Sequence, residues 1–500
     1  MAINDVRPSS TGGGADGRAP VTVKAPPARE IERRSIDWVP EEERHGRLWH
    51  QFPLWFLGNF QYFTIPIGFV GPAMGLSLGW TVVAAVLGIF VGTLFMAFHA
   101  SQGPQLGLPQ MIQSRAQFGY RGVLVPLCAT LFTYLAFNVA DQVLTAEGFH
   151  SAFGWNAHVV AVVVAIIAAV IAIWGHDWVH RAFRAILVVA LPVVAILSIG
   201  VILGAAHGHA HGHYGFTVAA FMAQFSVAAA YNITYAPYVS DYSRYLPRTT
   251  PVPKVIASVF FGAAGSPIWL ISLGAWLSIH LGVADGLDGT KVAGNNIFHP
   301  LGSVAAILLA AGLVATMGMN AYGGMLSVLT GVDSLRKIRP TRQARVITIL
   351  ILTVVWFVIG LSISSNAATT VLNSLTLMLY LLVPWTATNL ADFFLVRRGH
   401  YAIADLFTPR GIYGAWGARG LIAYFAGFAA EIPFMVLPSP AGFTFTGPIA
   451  KQISDVDISW LVGLAVSAIV YLLLARTINL RREERAIEQS ERVLAETEAA

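Results

Sequence analysis

The sequence predicts an all-α polytopic membrane protein of twelve transmembrane helices, and three observations predict it. The first is composition. Of the 500 residues, 56% are hydrophobic and 11% are charged, where a soluble domain carries about 25% charged residues; mean hydropathy is +0.64. Such a chain cannot cover a water-facing surface of its own size, which excludes a soluble enzyme, a disordered protein and a nucleic-acid binder. The second is the length of the uncharged runs, set against the roughly 20 apolar residues that a bilayer-crossing helix needs. The third is where the basic residues fall between those runs. A single cysteine, Cys128, excludes a disulfide framework and a cysteine metal cluster.

Taken in order, residues 48–114 hold no Asp, Glu, Lys or Arg over 67 positions, enough for spans 1 and 2. Residues 122–140 give span 3 and residues 148–176 give span 4. Residues 185–240 hold spans 5 and 6, separated by HGHAHGHYG. Residues 255–284 and 292–332 give spans 7 and 8, and residues 346–391 give spans 9 and 10, parted near SSNAATT. Residues 420–450, interrupted only by Glu431, give span 11, and residues 458–475 give span 12. With both termini cytoplasmic, 29 of the 31 Lys and Arg residues fall on the cytoplasmic side, leaving Lys291 and Lys451. That is the positive-inside pattern, so the pI near 9.3 is a topology signal. Residues 1–47 are expected to form a largely disordered cytoplasmic tail, rich at first in Gly, Pro, Ala and Ser and without the apolar stretch of a signal peptide. Residues 48–476 form the helical domain, and residues 477–500 a charged, solvated cytoplasmic helix.

Two spans are interrupted. Span 1 reads FPLWFLGNFQYFTIPIGFVGPAM, with Gly58, Asn59, Gln61, Pro66, Gly68, Gly71 and Pro72. Span 6 reads AAAYNITYAPYVSDYSRYLP, with Asn232, Thr234 and Pro237. Helix breakers at membrane depth are tolerated where they line a cavity or are buried in protein. Interrupted helices at corresponding positions of two halves point to a transporter binding site. Spans 1–5 and 6–10 then form repeats, inverted because each has an odd number of spans, with spans 11 and 12 appended. Pro and Gly are also common in membrane helices at large.

Four strings carry a family likeness: QGPQLGLPQMIQSRAQFGYRG between spans 2 and 3, SDYSRYLP after span 6, ATMGMNAYGGMLS in span 8, and LVPWTATNLADFFLVRRGHYAIADLFTPRGIYGAWG from span 10 into the next loop. Over residues 30–440 the chain resembles the nucleobase:cation symporter-1 family, which includes cytosine/purine permeases, allantoin permeases and a hydantoin transporter. The resemblance implies the leucine-transporter-type inverted-repeat fold and import of nucleobase-like heterocycles with sodium ions or protons. It implies a substrate contact at Gln61. Phe137 and Asp141 stand where the family has a stacking tryptophan and an amide. A second stacking aromatic falls on Tyr231 or Tyr235. In span 8 an asparagine contact falls on Gly324 without gaps, whereas Asn320 and Tyr322 match the Asn-x-Tyr pattern of the cytosine-permease branch. The family's cation site maps onto Leu57, Phe60, Ala315, Gly318 and Met319, where both hydroxyl ligands are missing. A thioether is a poor substitute for the hard oxygen that sodium prefers, so a proton is the expected coupling ion and Asp141 its candidate carrier.

The residues themselves suit that reading. A flat heteroaromatic ring needs aromatic faces and amide or carboxyl groups at its edge, and Phe137 and Asp141, four apart, share a helical face. Packing is the ordinary role for Phe137, Tyr231, Tyr235 and Tyr322, and interhelical hydrogen bonding for Gln61 and Asn320. An ionisable group inside a span is a functional-site hypothesis by default. Asp141, placed toward the outer part of span 3, is a proton carrier, a substrate contact or a partner of Gln142. A carboxylate there also suits a cationic vitamin-like heterocycle of the thiamine or pyridoxine type. Glu431 reads as structural or interfacial, and Asp241 and Asp392 as helix-end partners of Arg244 and of Arg397 and Arg398. His207, His209, His211 and His213 read as an outside surface loop, although such tracts can bind zinc or copper. His176 and His180, with metal-ligand spacing at the cytoplasmic end of span 4, read as interfacial. The competing class is a metal-ion transporter, which would need His, Asp or Glu clusters within the spans. A membrane enzyme would need a nucleophile or metal constellation. Neither pattern is present, so the chain reads as no enzyme, with no cofactor and no bound metal. Its expected partners are a small heterocycle, a coupling cation and the lipid bilayer.

Overall fold

The computed structural model describes residues 34–338, 341–363, 367–437 and 445–499. Most of the expected disordered tail, and the first three residues of SSNAATT, lie outside these. Eight of the described helices are long and apolar enough to cross a membrane. They are span 2 (Leu78–Ala100), span 3 (Leu124–Phe153), span 4 (Ala157–Trp174), span 5 (His176–Ile202), span 7 (Val252–Leu281), span 8 (Leu301–Leu335), span 9 (Arg342–Ser362) and span 10 (Ala367–Ala391). The other four expected spans fall short of that length for visible reasons. Span 1 lies in three pieces, Gln51–Asn59, Thr64–Ile67 and Val70–Ala73, and span 6 in two, Val218–Ile233 and Ala236–Ser243. Span 11 (Ala418–Glu431) has 14 residues and span 12 (Ser459–Ala475) has 17. The fold is all-helical, as expected, and consistent with twelve spans; the described strands are two residues each.

Helix ends follow local chemistry. Asn156, Thr217 and Thr341 cap spans 4, 6 and 9 through side-chain oxygens that accept from Val159, Ala220 and Ala344 N–H groups. Gly154 ends span 3 at φ 69°, a conformation that favours glycine. Two boundaries differ from the sequence expectation. The uncharged run of span 3 stops at Ala140, yet the helix continues through Asp141 and Glu147 to Phe153. Asp141 is therefore the eighteenth of its 30 residues, close to the helix middle. Span 5 begins at His176, where Gly175 (φ 84°) turns the chain, so His176 and His180 open span 5 instead of closing span 4. A helix that the apolar pattern did not announce, Gly286–Ile297, sits between spans 7 and 8.

Span 8 packs on spans 3, 4 and 5, while span 2 packs on span 7 and the first part of span 6. Spans 5 and 9 turn Val188, Ile202, Ile347 and Val354 outward, as a lipid-facing surface requires. Where span 1 crosses span 7 the backbones nearly touch: a Cβ on Gly274 would lie 2.1 Å from the Ile65 carbonyl oxygen. Only glycine permits that approach.

Both terminal segments are docked. Residues 34–50 form a strap across one end of the bundle, with Ile36 and Val39 buried. Arg44 donates to Pro104 O at 2.7 Å, Arg244 to Ser35 O at 2.6 Å, and Gly46 N to Tyr245 O at 2.8 Å. Within the tail expected to be largely disordered, residues 34–47 are docked. The C-terminal helix, Leu480–Ala499, bends by 90° from span 12. Its buried Glu483 takes a bidentate bond from Arg397 at 2.8 Å, and Ser490 accepts from Ala404 N. One face of this helix is therefore docked instead of solvated. Arg397 also pairs with Asp392 at 2.6 Å, as expected, and Asp241 accepts from Gln110 N. Glu431 is buried against Gly463 of span 12, and neither carboxylate oxygen has a hydrogen-bond partner among the described residues.

Candidate functional site

The break in span 1 is built by its own side chains. The backbone leaves the helix at Phe60 (φ −88°, ψ 65°). Gln61 Oε1 then accepts from Phe63 N at 2.6 Å, and Thr64 Oγ1 donates to Asn59 O at 2.6 Å. Tyr62 N donates to Leu309 O of span 8 at 3.2 Å. Freed backbone groups are thus satisfied away from water. In span 6 the interruption falls at Thr234–Tyr235, just before Pro237, which has no N–H to give. The two breaks are tied together. Asn59 Nδ2 donates to Asn232 Oδ1 at 2.8 Å, Gln61 Nε2 donates to Tyr231 Oη at 3.0 Å, and Tyr235 Oη donates to Gly58 O at 3.2 Å.

Against these breaks stands a closed quartet of rings. Phe63 stacks on Tyr231 (centroids 5.7 Å, 12°), and Phe137 stacks on Tyr235 (5.8 Å, 30°). The two pairs meet through Phe63–Phe137 at 5.5 Å and Tyr231–Tyr235 at 5.6 Å. Span 6 therefore supplies both candidate tyrosines. Phe63, which the sequence reading passed over, is the fourth wall; its place in the interrupted stretch, two residues after Gln61, was the available signal.

The polar edge lies one turn along span 3 from Phe137. Asn320 Nδ2 donates to Asp141 Oδ2 at 3.2 Å and to Asn138 Oδ1 at 2.9 Å, and Asn138 donates to Met317 O at 3.2 Å. All three side chains are about 1% exposed. Asn320 Oδ1 has no hydrogen-bond partner among the described residues. Gln142 does not join this group. It donates to Phe357 O of span 9 at 3.2 Å, because adjacent helical residues diverge by about 100°.

Two span 8 candidates lie elsewhere. Tyr322 Oη accepts from Arg244 at 3.1 Å, and its ring sits 5.2 Å from the Arg345 guanidinium, at the end covered by the strap. Gly324 faces Tyr134 and Leu352 and lines a small void with Asn320 and Trp356. The cation-site positions divide as well. Leu57 O accepts from Phe60 N, and Met319 reaches Gly58, so both face the span 1 break. Gly318 instead faces Ile171 and Ala168 of span 4. Ala315 is fully buried, but the span 8 position set against the Phe60 carbonyl is Gly312, whose Cβ would lie 3.2 Å from that oxygen. One turn on, buried Thr316 donates to Gly312 O at 3.1 Å. A hydroxyl therefore stands one turn from Gly312 on the face turned toward Phe60, three residues before Met319.

Comparison with known proteins adds the chain's relatives. A family described as permease for cytosine/purines, uracil, thiamine and allantoin matches residues 38–463. A putative purine-cytosine permease of Bacillus subtilis is 35% identical over 452 residues, which is 89% of this chain and 96% of that protein. A purine-cytosine permease of Emericella nidulans is 24% identical over 466 residues, covering 89% of this chain and 88% of that protein. Among solved structures, a nucleobase-cation-symport-1 family transporter in a closed conformation with bromovinylhydantoin bound gives a TM-score of 0.69 at 18% identity. It covers 92% of this chain and 100% of that chain; this likeness concerns the fold.

Proposed function

The chain belongs to the permease family for cytosine/purines, uracil, thiamine and allantoin, a family of transporters and not of enzymes, and from that premise we propose what it carries and how. It imports a nucleobase or related heterocycle of the cytosine/purine class across the plasma membrane, by symport with a proton in preference to sodium, with both termini cytoplasmic. The observation that carries this reading is the ring quartet at the crossing of the span 1 and span 6 breaks. Gln61 closes one edge of it, and the Asp141–Asn320 pair lies one turn beyond Phe137. A planar heterocycle that parts the rings meets aromatic faces above and below, and amide and carboxyl groups at its rim.

Asp141 is the acid at mid-span, and a carboxyl that gives up and regains a proton as the site opens to each side suffices to couple transport to a proton gradient. Thr316 supports sodium as a second reading, because it adds a hard oxygen one turn from Gly312, the position set against the Phe60 carbonyl. Asp141 in place of an amide supports a second substrate class, a cationic vitamin-like heterocycle such as thiamine or pyridoxine. Uptake of labelled cytosine or a labelled purine, competed by a panel of bases, vitamins and divalent metals, tests these readings. Competition by bases and not by vitamins is the expected result, and uptake of the labelled metals themselves decides whether a metal is carried. Competition by thiamine or pyridoxine alone would move the chain to the vitamin class, and uptake of labelled metal would overturn both. Reporter fusions in the 207–213 loop and at the C-terminus should report opposite sides of the membrane.

A further inference from the structure

The strap brings together three groups that no part of the transport reading uses. His45 comes from the strap, and His176 and Asp177 from the first turn of span 5. Their nearest ligand-type atoms all lie within 4.8 Å of one another. We propose that these three residues bind a divalent transition-metal ion of the zinc class, and that the bound ion pins the N-terminal strap to the start of span 5.

Each ring has a backbone carbonyl at the nitrogen turned away from Asp177, which can hold the ring proton and orient the other nitrogen toward the carboxylate. His45 Nδ1 lies 2.8 Å from Glu43 O. A carbonyl oxygen only accepts, so the proton of a neutral ring sits on Nδ1 and the lone pair on Nε2. That Nε2 faces Asp177 Oδ1 at 3.4 Å. His176 is the mirror case. Its Nε2 lies 3.3 Å from Tyr242 O, which leaves the lone pair on Nδ1, 3.0 Å from the same Asp177 Oδ1. In those tautomers two lone pairs and one carboxylate oxygen lie within 4.8 Å of one another, and such an arrangement needs a cation among them.

Protons on both rings would supply one; a metal ion uses all three atoms at once. Zinc bonds of about 2.0–2.1 Å in a tetrahedral site place neighbouring ligand atoms about 3.3 Å apart. The 3.0 and 3.4 Å separations bracket that value. Metal-bound histidines donate their other N–H to a carbonyl or carboxylate that holds the ring in place, and Glu43 O and Tyr242 O stand in that position. The Asp177 side chain is 31% exposed and that of His45 18%, which gives an ion a way in and leaves the fourth position to water.

The ion would join separate parts of the molecule. His45 rides on the strap, which is bonded to the end of span 6 through Gly46 N and Tyr245 O. His176 and Asp177 begin span 5, and Tyr242 lies in the second piece of span 6. Metal binding therefore holds the strap closed over this end, and zinc should slow uptake whatever the transported substrate is.

The test uses the purified full-length chain with His207→Ser, His209→Ser, His211→Ser and His213→Ser, so that the histidine loop does not compete. Titration with zinc chloride by calorimetry should show one ion per chain. His45→Gln and Asp177→Asn should each weaken binding by about tenfold or more, and the combination with His176→Gln should abolish it. Thermal melting in the presence of a chelator identifies the variants that keep their fold, and the comparison is made among those. X-ray absorption at the zinc edge should read two histidine nitrogens and a carboxylate oxygen. Absence of binding by the loop-substituted chain, or the same stoichiometry and affinity in every folded variant, would overturn the proposal.

Discussion

Asp141 of span 3 accepts a hydrogen bond from Asn320 of span 8 at 3.2 Å, deep in the bundle and one turn from the Phe137 ring. This contact ties spans 3 and 8 together through a carboxyl group and its amide partner. A hydrogen bond to a charged group contributes about 1.5–3 kcal/mol. Asp141→Ala should therefore abolish uptake, or weaken apparent substrate affinity by about 10- to 100-fold, with normal amounts of protein in the membrane. Uptake with unchanged affinity would remove Asp141 from the site.

Coupling separates from binding in the isosteric variant. Asp141→Asn keeps the shape and can still bond to Asn320, but has no proton to exchange. If Asp141 carries the proton, this variant should exchange labelled for unlabelled substrate across a vesicle membrane yet fail to accumulate it against a gradient. A protonophore should collapse accumulation by the unaltered chain in sodium-free medium. Accumulation that follows the sodium gradient and ignores the protonophore contradicts the proton reading.

Thr316→Val tests the alternative ion directly. It deletes the hydroxyl beside Gly312 and keeps the volume. With protons as the coupling ion, uptake should be the same in sodium and choline media for both the unaltered chain and the variant. A sodium stimulation that disappears in Thr316→Val would place a sodium site at Phe60, Gly312 and Thr316.

Tyr231→Phe keeps the ring that stacks on Phe63 and removes the hydroxyl that meets Gln61 and Thr64. A net loss of about 1 kcal/mol for each of the two buried hydrogen bonds predicts up to about a 30-fold rise in apparent KM. Tyr231→Leu loses the stacking face as well and should raise it further. Equal values in the two variants would show that the hydroxyl, not the ring, is what matters.

Asn59 and Asn232 occupy matching places in the two interrupted helices and bond to each other at 2.8 Å, both also reaching Ala263 O. Interhelical hydrogen bonds in membranes average about 0.6 kcal/mol, with about 1.7 at most. A double-mutant cycle with Asn59→Ala and Asn232→Ala, read by reversible unfolding in detergent, should give a coupling energy in that range. Strict additivity would show that each asparagine acts through Ala263 alone.

The sequence revealed the fold because lipid imposes coarse rules. Long uncharged runs, basic loops between them and breakers in spans 1 and 6 each follow from excluding water, so they are legible without coordinates. Charge was also what misled the boundaries. Asp141 and Glu147 ended the apparent third span, and Asp177, Arg181 and Arg184 delayed the fifth, because inside a bundle a charge marks a contact and not a helix end. Positions transferred by motif fared unevenly for a geometric reason. Gln61, Phe137, Tyr231 and Tyr235 lie close to a break or an anchoring proline, where alignment has landmarks. The uninterrupted 35 residues of span 8 offer no such landmark, and positions six apart there fall on different faces: Gly312 meets Phe60, Gly318 meets span 4, and Tyr322 lies beside Arg244. The strap and the docked C-terminal helix were illegible because their hold depends on single side chains, Arg44 and Glu483, reaching distant partners.

The closed quartet of Phe63, Phe137, Tyr231 and Tyr235 has a consequence for the unloaded carrier. A symporter that has released its cargo must return through the membrane, and in that half of the cycle a vacant cradle is where ions would slip across unaccompanied. Here the rings fill one another's faces when nothing lies between them. If these rings are the surfaces that select the cargo, as proposed, they also seal the route behind it, and the same four side chains set leakiness and selectivity together. Trimming one ring to alanine should consequently do more than loosen recognition: it should let the driving gradient run down without work.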